Sequence, residues 1–249
     1  MQPFYPRINV ETTFDKAVRE YGGVVVREKL PYSPHFENAD YIFHFEKIVC
    51  ELKCLTEDNL SSPNNDIRAK NLINEYYGAG LIDSRNVDEA NWAKWPRELQ
   101  TKIYEATTRS IKRRLQKANT QIHQTKAELK LDEYRGLVVL VNDGIYSLTP
   151  AAFIHATQLV LAKKRRQFSQ IDYFVYVTAN LFTLMRGVPL PVRFWIGVDM
   201  EKGPKMDTAF VDRLGSIFKT IASAEAKIPI IEQKLRDMEG FWKAKHIKI

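Results

Sequence analysis

The chain has 249 residues, 45% hydrophobic and 27% charged, a composition that excludes wholesale disorder and a length that can bury a sizeable core. Lysine and arginine number 37 against 30 acidic residues, a net charge of +7, and this excess suits a polyanionic partner such as nucleic acid. No stretch approaches 18 apolar residues and residues 1–10 lack an apolar signal core, so no membrane span or secretory leader is expected and the expected location is cytoplasmic.

Residues 11–21 predict a helix, because Phe14, Ala17, Val18 and Tyr21 recur at helical spacing and Gly22-Gly23 closes it. Val24-Val25-Val26 is β-branched and predicts a first strand. After breaks at Pro31 and Pro34, residues 40–45 predict a second strand and 48–55 a third, with Glu46-Lys47 as the turn. A polar loop over 56–65, a short helix over 66–77 and a loop over 78–86 follow. Residues 95–131 predict one long helix with Pro96 in its first turn. Ile111, Leu115, Ala118, Ile122 and Leu129 form its apolar face, and Arg113, Lys117, Thr120 and Gln124 lie opposite.

The run Leu137-Val138-Val139-Leu140-Val141, bounded by Gly136 and Asn142-Asp143-Gly144, predicts a strand buried on both faces. A helix over 150–164, strands over 173–178 and 192–198, and a helical C-terminal region from 207, broken at Pro229, complete the chain. The expected architecture is one α/β domain over 1–249, with its core in 11–200 and a helical extension over 207–249. The only cysteines, Cys50 and Cys54, are four apart in a predicted strand. That separates their Cα atoms by about 13 Å, too far for a disulfide, so both are expected as thiols.

The chemistry concentrates in Asp40 and in Glu51-Leu52-Lys53. Paired as a hairpin about Glu46-Lys47, the two strands place Tyr41 opposite Leu52, Phe43 opposite Cys50 and Phe45 opposite Ile48, one apolar face. The other face then carries Asp40 opposite Lys53 and Ile42 opposite Glu51, with the two acids as diagonal neighbours roughly 7 Å apart. His44 falls on that same face. Two carboxylates so placed can share a hard divalent cation. Such a cation neutralises a phosphodiester and acidifies water, and a lysine beside it can orient the water or balance developing charge. The alternative is a cross-strand ion pair on a solvated sheet.

The order helix, strand, strand with Asp40, strand with Glu51-Leu52-Lys53, helix, strand resembles the PD-(D/E)XK, or restriction-endonuclease-like, nuclease superfamily over roughly residues 11–141. The resemblance implies that superfamily's mixed central sheet with flanking helices. It implies Mg²⁺ or Mn²⁺ held by Asp40, Glu51 and the Leu52 backbone carbonyl, with Lys53 assisting the attacking water, and a DNA substrate. Ala39 stands where the motif's proline would be, and the segment between Lys53 and the long helix is longer than usual. Members often add an acid from the first helix, for which Glu11 and Glu20 are candidates. They also often add Gln, Lys or Arg from the helix after the motif, for which Arg113, Gln116, Lys117 and Gln121 are candidates.

Two basic runs, Lys112-Arg113-Arg114 and Lys163-Lys164-Arg165-Arg166, supply candidate phosphate contacts, notably Arg113, Lys163, Lys164 and Arg165. The end of the chain, Trp242-Lys243-Ala244-Lys245-His246, is either a base-stacking grip or a packed aromatic beside a basic tail. The five histidines show no zinc-site spacing, and no phosphate loop or serine elbow is present. The alternative function is a catalytically silent nucleic-acid-binding module or a partner-activated subunit. Homodimer and heteromeric partner both remain open.

Overall fold

The structure is a computed structural model that describes residues 6–30, 35–58, 63–83, 94–184, 192–200, 205–227, 241 and 244–247. Its first helix, α1 (Val10–Tyr21), starts where the Asn9 side chain accepts the Thr12 N–H at 3.0 Å and ends at Gly22, whose φ of 98° is left-handed. Strand β1 (Val24–Val25) leads through a short 3₁₀ turn (Val26–Glu28) to β2 (Tyr41–Phe43) and β3 (Ile48–Leu55). Helices α2 (Pro63–Gly78) and α3 (Arg97–Leu129) precede β4 (Arg135–Asn142), α4 (Pro150–Lys163) and β5 (Tyr173–Thr178). The chain then forms β6 (Phe182–Leu184), β7 (Trp195–Asp199), α5 (Thr208–Ala226) and β8 (Lys245–Ile247).

Six strands make a mixed sheet in the order β1-β2-β3-β4-β5-β7, and β6 pairs with β8 in a separate ribbon. Strands β1, β2 and β3 run antiparallel in turn, whereas β3, β4 and β5 are parallel. The parallel step from β3 to β4 requires a crossover, and α3 supplies it. One sheet face packs Cys50, Leu52, Leu137, Val139 and Val141 beneath Phe14 and Val18 of α1 and Phe210 and Leu214 of α5. The other packs Val49, Leu55, Val138 and Leu140 beneath Ile111, Leu115, Ala118 and Ile122 of α3 and Phe153 of α4. The alternating set in β4 is therefore buried on both sides, as its unbroken apolar run predicts.

Several boundaries and one register differ from the sequence reading. The β2–β3 pairs are Tyr41 with Cys50, Ile42 with Val49 and Phe43 with Ile48, displaced by two residues from the expected register. The connection is a four-residue turn over 44–47, closed by Lys47 at φ 53°, in place of a two-residue one. A shift of two preserves which side chains share a face, but it moves Phe45 out of the core to 96% exposure. His44 falls in that turn, where its ring meets the Tyr134 hydroxyl at 3.0 Å.

Pro63 begins α2, so the predicted loop ends earlier than residue 65. The C-terminal region is not wholly helical, because β8 forms there. The break at Pro229 and the residues Trp242 and Lys243 lie outside the described residues. Cys50 and Cys54 are free thiols. Among the described residues no helix is long and apolar enough to cross a membrane.

Candidate active site

Strand β2 begins only at Tyr41, opposite Cys50, while β3 continues to Leu55, so β3 runs past its neighbour. Asp40 sits at that step. Its Oδ2 accepts the Leu52 N–H at 2.9 Å, taking the place of a ladder bond that β2 no longer supplies. Its own N–H donates to Glu51 Oε2 at 3.1 Å. In an extended strand a residue's N–H and C=O lie on the same edge, so the Leu52 carbonyl shares the edge on which Asp40 sits.

Glu51 and Lys53 have the parity of Val49 and Leu55, and project towards α3. That face is covered by the helix rather than solvated. Glu51 is 1% exposed and Lys53 8%. The Lys53 ammonium bonds Glu51 Oε1 directly and donates to Gln121 Oε1 at 2.7 Å. Gln121 Nε2 donates in turn to the Asn38 carbonyl at 2.8 Å. One helix turn further on, Thr125 Oγ1 accepts the Ala39 N–H at 2.7 Å and Gln124 Oε1 accepts the Glu37 N–H at 2.7 Å. Helix α3 thus holds the lysine and the backbone approach to Asp40 with three neighbouring side chains.

The electrostatics are those of a crowded acid pair. Burial and then the Asp40 charge push Glu51 up to about 8, against the opposing pull of Lys53. Burial likewise raises Asp40, against the Leu52 hydrogen bond and the Lys53 charge, with Glu11 adding to the rise. Two carboxylates beside a single ammonium leave negative charge poorly compensated in a low-dielectric site.

The donor set fits a hard divalent cation. Its atoms are carboxylate and carbonyl oxygens, and each carboxylate oxygen that accepts one hydrogen bond keeps a further lone pair. Among the described residues no three His, Cys, Asp or Glu side chains form a ready-made metal cage. A cation here would therefore be held by Asp40, Glu51, the Leu52 carbonyl and water.

The other candidates separate by position. Glu11, in the first turn of α1, is close enough to raise Asp40. Glu20 is near the opposite end of the same helix, about 13 Å along its axis from Glu11. On α3, Lys117 lies about 40° around the axis from Gln121, Arg113 about 80° and Gln116 about 140°, at roughly 100° per residue. Gln121 is the one that reaches Lys53. Of the second basic run, Lys163 lies 5.1 Å over the Tyr104 ring. Lys164 approaches Lys112, whose pKa it lowers. Arg165 is exposed. Lys163 and Lys164 thus meet α3 at Tyr104 and Lys112, about 100° and 180° around its axis from Gln121.

The sequence reading missed the part played by Thr125 and Gln124. Their signal was available only as polar residues a turn beyond Gln121, on a helix surface that looked solvated. Asn142-Asp143-Gly144 does more than turn the chain: Asp143 Oδ1 accepts the Asn180 N–H at 3.1 Å and its Oδ2 pairs with Arg7 at 3.0 Å. No protein-family model matches this chain, and neither a curated protein nor a solved structure matches it.

Proposed function

We propose that this chain is a metal-dependent nuclease of the PD-(D/E)XK type that hydrolyses phosphodiester bonds in DNA in the cytoplasm. The observation that carries the reading is the meeting of Asp40, Glu51 and Lys53 where β3 outruns β2. The element order α1-β1-β2-β3, a crossover through α3 and a parallel β4 supports a restriction-endonuclease-like core. The net charge of +7 suits the polyanionic substrate.

When bound, Mg²⁺ or Mn²⁺ supplies charge neutralisation at the phosphate and a more acidic water. Asp40 and Glu51 position the oxygens that would hold it. Lys53, kept in place by Gln121, presents an ammonium that stabilises negative charge growing on the phosphoryl oxygens and orients the attacking water. Gln121 also fixes Asn38, so one side chain keeps the lysine and the Asp40 segment in mutual register.

The direct Lys53–Glu51 ion pair favours a second reading, a silent nucleic-acid-binding module, because that lysine competes with a cation for Glu51. One experiment separates the two. Supercoiled and linear DNA are incubated with the purified chain in Mg²⁺, in Mn²⁺ and in chelator. The nuclease reading expects metal-dependent cleavage that disappears in Glu51→Gln and Lys53→Met. Salt-sensitive binding without cleavage under any metal supports the silent module. Cleavage that survives both substitutions defeats the assignment of residues.

A further inference from the structure

The flank of α3 that carries Gln121 continues away from Lys53 towards the α2 end of the helix. Lys117 and Arg114 lie four and seven residues before Gln121, about 40° and 20° from it around the axis. Both are exposed. Among the described residues neither forms a salt bridge or hydrogen bond. They contrast with Lys53, paired to Glu51 and Gln121, and Lys126, held by Gln170.

Among the described residues, Lys117 and Arg114 are thus exposed cations without a polar partner, on the helix stripe that begins at Gln121 beside Lys53.

We infer that Lys117 and Arg114 form a phosphate track, which seats the backbone of the substrate strand beside the bond that is cut. This deepens the nuclease reading and rests on it. The seven residues from Gln121 to Arg114 span about 10.5 Å, so Arg114 meets a phosphate beyond the one at Lys53, with Lys117 between. Arginine suits such a contact because its planar fork can grip a phosphate in two places. The track gives direction as well as affinity: the strand runs along α3 past the end of β3.

The test uses a fluorescent 20-base-pair duplex in chelator, so that binding is read without cleavage. Anisotropy is followed across a NaCl series for the wild type, for Arg114→Ala/Lys117→Ala and for Arg109→Ala. Arg109 lies on the same helix, about 120° around the axis from Gln121. Losing two phosphate contacts should lower the magnitude of the slope of log affinity against log salt by about 1.8. Arg109→Ala should leave the slope near that of the wild type.

An unchanged slope in the double variant overturns the track, and so does an equal loss in Arg109→Ala. A wild type without salt-dependent binding overturns it as well. If the double variant loses slope while the wild type cleaves nothing in Mg²⁺ or Mn²⁺, the track stands as a backbone seat and only hydrolysis fails.

Discussion

In the proposed nuclease, Glu51 is the residue on which the chemistry turns. It is almost completely buried, it lies beside a second acid, and its only described cationic contact is Lys53. Its pKa in the fold stands at about 8 against an ordinary 4.5. The proton it keeps therefore stabilises the metal-free fold fully below about 4.5, and that contribution is lost as pH rises through about 8. Urea midpoints of the metal-free protein should fall across this window, and Glu51→Gln should flatten the fall. A cation held there would displace the same proton, so Mn²⁺ affinity measured by calorimetry should rise with pH over the same range. For turnover, Glu51→Gln and Lys53→Met should each lower the cleavage rate at least about a hundredfold, the scale of losing one charge-stabilising group.

At the scale of elements, β3 and α3 act as a pair. Strand β3 supplies Glu51 and Lys53, and α3 closes over them while its apolar face completes the core. Leu115 is fully buried at that contact. Leu115→Ala should cost about 2–5 kcal/mol, read as a lowered denaturation midpoint. Gly136 opens β4 against the Gln170 loop, where an added Cβ would stand 1.7 Å from the Gln170 carbonyl oxygen. Gly136→Ala should therefore destabilise the protein more than an alanine at an open glycine such as Gly78, which has no neighbour within 4 Å.

Much of this pair was legible in the sequence. Period-two alternation gave Glu51 and Lys53 one face, and period-3.6 spacing gave α3 its apolar stripe. The register of the β2–β3 hairpin was not legible. Lys47 adopts a left-handed φ of 53° without the glycine or asparagine that would signal it, so the turn looked shorter than it is. Nor was the cover over the polar face legible. Gln124 read as part of the polar face and Thr125 drew no attention, because their partners are backbone groups of residues 37 and 39, distant in sequence.

Across the whole molecule, two hydrophobic layers pack on opposite faces of the one sheet that carries the site. That β4 lies in the middle of a mixed sheet, buried on both faces, was foreseeable from its unbroken apolar run. The ribbon of β6 and β8 was not, since its strands are three residues each and lie far apart in the chain. His246 on β8 anchors that ribbon: its Nδ1 meets Thr183 Oγ1 at 2.8 Å, and its Nε2 meets Asn142 and Tyr176 at 3.3 Å. Burial lowers its pKa to about 4 from 6.5. The stability it lends is present above about 6.5 and lost as pH falls through about 4. Amide hydrogen exchange at residues 245–247 should accordingly quicken, relative to the main sheet, when pH is taken from 7 to 4.

The central claim is that Asp40 and Glu51 jointly hold one divalent cation. Anomalous diffraction from crystals soaked in Mn²⁺ tests it most directly. The account predicts a single strong peak within about 2.2 Å of an oxygen from each acid and on the Leu52 carbonyl edge. A soaked crystal with no peak there, with Lys53 still closed on Glu51, would contradict it.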